Sequence, residues 1–260
     1  MSCIHIPHIK PDENIEQILS ALVGVIHKSL SLKSDIEWVF SEDEKNELFS
    51  ALLFAFTKTT DIHIENSEHN DNTIVFELND ESISNAIDKA EDSIFKSHET
   101  DQLRQAISYM LNELVCNVQQ HSQADTGIIH ASFNKSLNVL DICVADNGIS
   151  IYGSYVNAQK YLEQINNSAE ALAMARKGYS TKNLPNAENR GYGISSNAKM
   201  IVKGLNGTFS ILSDNALFHF TKESEIIEIL PETIVWNGTI VIARIPIAIP
   251  DSFNIYNYIA

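Results

Sequence analysis

The chain has 260 residues, 44% of them hydrophobic and 20% charged, enough for one large domain or two small ones. Asp and Glu number 34 against 18 Lys and Arg, and the net charge of -16 argues against non-specific binding to nucleic acid or anionic membranes. No stretch reaches the roughly 18 apolar residues of a membrane span, and no signal-peptide pattern opens the chain, so a cytoplasmic protein is expected.

Residues 1–15 are polar and marked by Pro7 and Pro11; His5 and His8 have no third ligand nearby and read as terminal surface histidines. Ile15, Ile18, Leu19, Leu22, Val23, Ile26 and Leu30 recur at helical spacing over 14–32. Asp35–Phe40 alternates like a strand. Ser41 caps a helix over 42–56, with Glu44 at the capping-box position. Strands are expected at Asp61–Ile64 and Thr73–Leu78, with a solvated loop between them. Residues 1–100 thus read as a small α/β module without a glycine-rich loop or a nucleophile–base cluster. Residues 80–100 are acidic and polar and lead into the next helix. Ser97-His98-Glu99 resembles the opening of the phospho-acceptor box of sensor histidine kinases, but Thr100-Asp101-Gln102 stand where that box has a basic residue and a proline, so His98 reads as a surface histidine. Cys3, Cys116 and Cys143 form no CxxC pair and read as reduced thiols.

Leu103, Ile107, Met110, Leu114 and Val118 define the apolar stripe of a long helix. Glu113, Asn117 and His121 follow one another at one-turn spacing, the last two inside that stripe and Glu113 at its edge. Polar groups aimed at a core need partners, because burying them unpaired costs kcal/mol apiece. Gly127–Asn134 and Asn138–Ala145 are strands joined by a tight turn, and the second runs into Asp146-Asn147-Gly148. A polar helix is expected over 157–177. A loop poor in apolar residues follows, Gly178-Tyr179-Ser180-Thr181-Lys182 and then 183–190, ending in Gly191-Tyr192-Gly193-Ile194 at the start of a helix that runs to about Val202. Two glycines at a helix start let backbone N–H groups approach an anion. Gly207–Ser213, Ala216–Thr221 and Thr239–Pro246 complete the pattern as strands.

A helix carrying Glu113 and Asn117, then Asp146-Asn147-Gly148 after a strand, then a long loop ending in Gly191-Tyr192-Gly193, then Gly238-Thr239 before a last strand, resembles the GHKL superfamily of ATP-binding domains over about 103–247. The resemblance implies an α+β two-layer sandwich of the Bergerat type, with a mixed, mostly antiparallel sheet and helices on one face, spanning 101–260 behind the module at 1–100. It implies that Asn117 completes a Mg²⁺ shell, that Glu113 orients or deprotonates an attacking water, and that Asp146 accepts from the adenine amino group. Gly148 would let the base sit against the backbone, and Thr239 would support Asp146 through water. Gly191, Tyr192, Gly193 and Ile194 would meet the phosphates, and 149–190 would be the ATP lid, with Lys182 and Arg190 in reach of the triphosphate. The family usually has a further glycine where this chain has Ser150. His121 is expected to pack and hydrogen-bond at the helix end.

The function implied is Mg²⁺-dependent ATP binding with slow hydrolysis in a nucleotide-switched regulator that acts on a protein partner. Alternatives stay open: a protein serine/threonine kinase resembling anti-sigma factors, with Glu113 as base for a protein hydroxyl, and a nucleotide-binding module without turnover or a histidine-kinase-like ATPase domain that lacks a phospho-acceptor domain. With the last strand ending near Pro246, no transducer domain is expected to follow, and a partner would complete the site.

Overall fold

The computed structural model describes residues 2–5, 36–39, 72–95, 101–134, 137–181, 192–230 and 235–259. The helices expected over 14–32 and 42–56 and the strand at Asp61–Ile64 lie outside these residues. Within the N-terminal part, β1 (Ser2–His5) and β2 (Ile36–Val39) pair in parallel.

The rest is built on a seven-stranded sheet of β3 (Thr73–Glu77), β4 (Thr126–Asn134), β5 (Val139–Asp146), β6 (Thr208–Asp214), β7 (Ala216–Phe220), β8 (Glu225–Ile229) and β9 (Trp236–Pro246). Its order is β3-β4-β5-β9-β6-β7-β8, and every neighbouring pair is antiparallel. The sheet is therefore not mixed, and among the described residues parallel pairing is confined to β1 and β2. β9, last in sequence, lies in the middle between β5 and β6, which puts the ends of three strands side by side.

Five helices cover one face: α1 (Asp80–Ile94), α2 (Asp101–His121), α3 (Ile151–Ala158), α4 (Ser168–Arg176) and α5 (Tyr192–Lys199), the last continued by a π-helical segment, Met200–Gly204. Strand residues of one parity, such as Ile129, Ile142, Val144, Phe209, Ile211, Phe218, Val241 and Ala243, meet Leu103, Ile107, Met110, Leu111 and Leu114 of α2 in one core. Alternation in strands and a helical stripe in α2 produce this interface directly. The opposite-parity residues Ile128, His130, Cys143, Leu212 and Ile242 are buried as well.

Four elements differ from expectation. β3 is the edge strand of the main sheet rather than part of a separate N-terminal module, and Phe76 joins the common core. Residues 80–94 form a helix, capped by the Asn79 side chain, which accepts from the Ser82 N–H at 2.9 Å. Its acidic residues face outward while Ile83, Ala86, Ile87 and Ala90 make the inner stripe, so a count of charges conceals it. The helix expected over 157–177 is two helices: Gln159 adopts left-handed backbone with φ 51° and ends α3, and Asn167 caps α4 through the Glu170 N–H. β8, Glu-Ile-Ile-Glu-Ile, lies on an exposed edge, and its two glutamates break any alternating apolar pattern.

Candidate functional site

Tyr109, Glu113, Asn117 and His121 lie one per turn along α2, all half-buried. The first three face α5. Tyr109 hydrogen-bonds Ser196 of α5, and burial together with the neighbouring Glu113 carboxylate raises its phenol above the ordinary value despite that bond. Gly193 meets the line more closely still. A Cβ there would stand 2.6 Å from Glu113 Oε2 and 3.5 Å from Asn117 Nδ2. Glycine at this position is what lets the first turn of α5 lie against the carboxylate and the amide.

Asp146 ends β5 at 3% exposure. Its Oδ1 accepts from the Gly148 N–H at 3.0 Å, its side chain also accepts from the Thr239 N–H, and its main-chain oxygen accepts from Trp236 Nε1 at 2.7 Å. Burial outweighs these bonds and pushes the carboxyl up to about 7. Two glycines permit the crowding. A Cβ on Gly238 would fall 2.1 Å from the Asp146 main-chain oxygen, and one on Gly148 would fall 2.0 Å from the Ser122 carbonyl oxygen. Gly148 therefore packs the strand-end turn against the backbone that leaves α2 and donates to Asp146; it is not among the residues lining the cavity. Thr239 meets Asp146 directly, through its backbone N–H. Ser150 sits at φ -67° and ψ 171°, extended backbone open to any residue, and caps α3 by accepting from the Gly153 N–H at 3.1 Å.

These groups surround one cavity of about 280 Å³ between α2, the ends of β5 and β9, α3, α5 and the segment 179–181. That volume is near the lower bound of roughly 300 Å³ for small-molecule pockets. Glu113, Asn117, Asp146, Gly193, Ile194 and Thr239 all line it. Val144, Val241, Leu114 and Val118 supply an apolar wall suited to a flat ring, with Asp146 at its end. The outer wall is held by side chains: Tyr155 donates to the Tyr179 carbonyl at 2.5 Å, and Thr181 Oγ1 lies 3.1 Å from Ser154 Oγ and 2.9 Å from His121 Nδ1. Tyr161 stacks edge-on against both Tyr155 and Tyr179. His121 is thus tied at the helix end, as expected.

Lys182, Arg190 and Gly191 lie outside the described residues; Tyr192 opens α5, and of it only the backbone is described. The described lining contains no Lys or Arg, and its formal charges are the carboxyls of Glu113 and Asp146. Among the described residues no cluster of three His, Cys, Asp or Glu side chains is placed to hold a metal by itself, and no helix is long and apolar enough to cross a membrane. The donor set does fit a hard cation that keeps waters and takes phosphate oxygens: one neutral amide oxygen, Asn117, beside one carboxylate.

Sequence reasoning missed Ser213, placed Tyr155 and Tyr179 only within the expected lid at 149–190, and gave Gly238 no role beyond preceding Thr239 and the last strand. The Asn237-Gly238-Thr239 triplet before a strand was the one signal present for Gly238; the others depend on register and packing. No family model matches the chain, and no curated protein matches it.

Proposed function

We propose that this chain is a Mg²⁺-dependent ATP-binding protein with a Bergerat-type fold of the GHKL superfamily, hydrolysing ATP slowly and regulating a protein partner through its nucleotide state. The observation that carries this reading is the convergence of Glu113, Asn117, Asp146, Gly193 and Thr239, drawn from α2, β5, α5 and β9, on one cavity. The antiparallel sheet covered by helices on one face supports it as well.

In this reading the purine ring lies on the apolar wall and its exocyclic amine donates to Asp146. Asn117 supplies a neutral oxygen to magnesium, which when bound neutralises phosphate oxygens. Glu113, held beside the first turn of α5, takes the proton of the attacking water. The remaining positive charge is assigned to Lys182 and Arg190, which precede α5 in the sequence, or to the partner. Phosphate release measured on the purified protein tests the assignment. Glu113→Gln is expected to abolish release while nucleotide still binds; release that persists undiminished in that variant removes Glu113 from the role. Label from γ-phosphate appearing on a co-purified protein, and not in water, would replace hydrolysis by kinase action.

A further inference from the structure

A row of three polar side chains crosses the sheet beneath the start of α3. Asp146 of β5 pairs with Thr239 of β9, and Thr239 pairs with Ser213 of β6. They share the parity of Val144, Val241 and Ile211, so all three stand on the helix-covered face. Ser213 is 2% exposed and does not line the cavity.

Its hydroxyl has three neighbours. The Ile151 N–H donates to it at 2.9 Å, the Gly238 carbonyl oxygen lies at 3.0 Å, and Thr239 Oγ1 lies at 3.1 Å. A serine hydroxyl carries one proton. The Gly238 carbonyl can only accept, so the Ser213 proton goes there. Thr239 must then spend its own hydroxyl proton on Ser213 Oγ. The nearby N–H groups of Gly148 and Thr239 are already committed to Asp146. Above pH 7, where the Asp146 carboxyl is ionised, the polar end of the cavity is left with acceptors only: the Asp146 carboxylate and the remaining lone pair of Thr239.

We propose that Ser213 is a positioning residue for base selection: by taking the Thr239 proton it keeps this end of the cavity acceptor-only, so that a 6-amino purine is favoured and a 6-oxo purine meets lone pair against lone pair. The proposal rests on the nucleotide-binding reading above. In Ser213→Ala the Thr239 proton is released and can turn to a ring carbonyl, which removes part of the discrimination.

The test is calorimetric titration of the full chain at pH 8 with ATP and with inosine triphosphate, both with Mg²⁺, read as the Kd for inosine triphosphate divided by the Kd for ATP. A hydrogen bond gained or lost changes an affinity about tenfold, so Ser213→Ala is expected to lower the ratio about tenfold, and Ser213→Thr, which keeps the hydroxyl, to restore it. General loosening of the pocket weakens both nucleotides together and leaves the ratio unmoved. An unchanged ratio in a folded Ser213→Ala protein that binds ATP overturns the role of Ser213 alone. Failure of the unmodified protein to bind either nucleotide overturns this proposal and the ATP reading together. If Ser213→Ala does not fold, Thr239→Val carries the same test, since it removes the opposing lone pair: the ratio is expected to fall, and an unchanged ratio overturns the proposal.

Discussion

Asp146→Asn is expected to stabilise the ligand-free protein above pH 7 while destroying its affinity for nucleotide. The carboxyl is buried and pushed up to about 7 from an ordinary 3.8. Between these values the unfolded chain has released its proton and the folded chain holds it, so stability is full below 3.8 and is lost as pH rises towards 7. At about 1.4 kcal/mol per pH unit the loss amounts to roughly 4 kcal/mol. Asparagine carries no charge to desolvate and keeps an oxygen for the Gly148 and Thr239 N–H groups. Even half of the difference, about 2 kcal/mol, raises Tm by roughly 4–8 °C in a chain of this size. Thermal unfolding of both proteins at pH 5 and pH 8 decides the matter: the advantage of the variant should be large at pH 8 and shrink at pH 5. A variant no more stable than the parent at pH 8 would mean that Asp146 ionises there without cost, and the account of a strained acceptor waiting for a donor would fail.

His130 is fully buried between Thr73 Oγ1 at 3.1 Å and Ser132 Oγ at 3.0 Å, and burial lowers it to about 4. Its contribution is lost as pH falls from about 6.5 towards 4, roughly 3 kcal/mol in all, so the acid limb of a urea-stability profile should flatten in His130→Gln. Arg244 bonds Asp141 at 2.7 and 3.2 Å, and Asp141 is 3% exposed. Arg244→Met strands a buried carboxylate and should cost about 3–5 kcal/mol in denaturant unfolding, much of it regained in the double variant with Asp141→Leu. The two site glycines should behave differently. Gly148→Ala drives a Cβ against backbone and is expected to cost at least 1–3 kcal/mol, whereas Gly193→Ala meets only the tip of Glu113, so it should fold with a near-normal Tm and release phosphate more slowly.

What the sequence disclosed, it disclosed through local patterns. Glu113 and Asn117 were visible because a helix imposes its period, which set Asn117 inside the apolar stripe of α2 and Glu113 at its edge, one turn before it. Asp146 was visible because a strand ended on it, and Gly193 because glycines are uncommon at the first turn of a helix. Ser213 carried no such mark: it matters because β9 inserts between β5 and β6, and that register brings residues 146, 239 and 213 into one row. The wall at 179–181 depends likewise on a phenol reaching a carbonyl from another helix. The fold was misjudged where charge concealed pattern. The acidic residues of α1 hid a helix whose apolar stripe is intact, and the glutamates of β8 hid an edge strand. Assigning 73–77 to the N-terminal module followed from sequence proximity, while pairing with β4 requires a partner 50 residues away.

Calorimetric titration of the unmodified chain with ATP and Mg²⁺ at pH 8, repeated with Asp146→Asn, bears most directly on the central claim. Saturable binding to one site, lost or weakened at least about tenfold in the variant, is the expected result. No heat at millimolar ATP, or binding that Asp146→Asn leaves intact, would contradict the account.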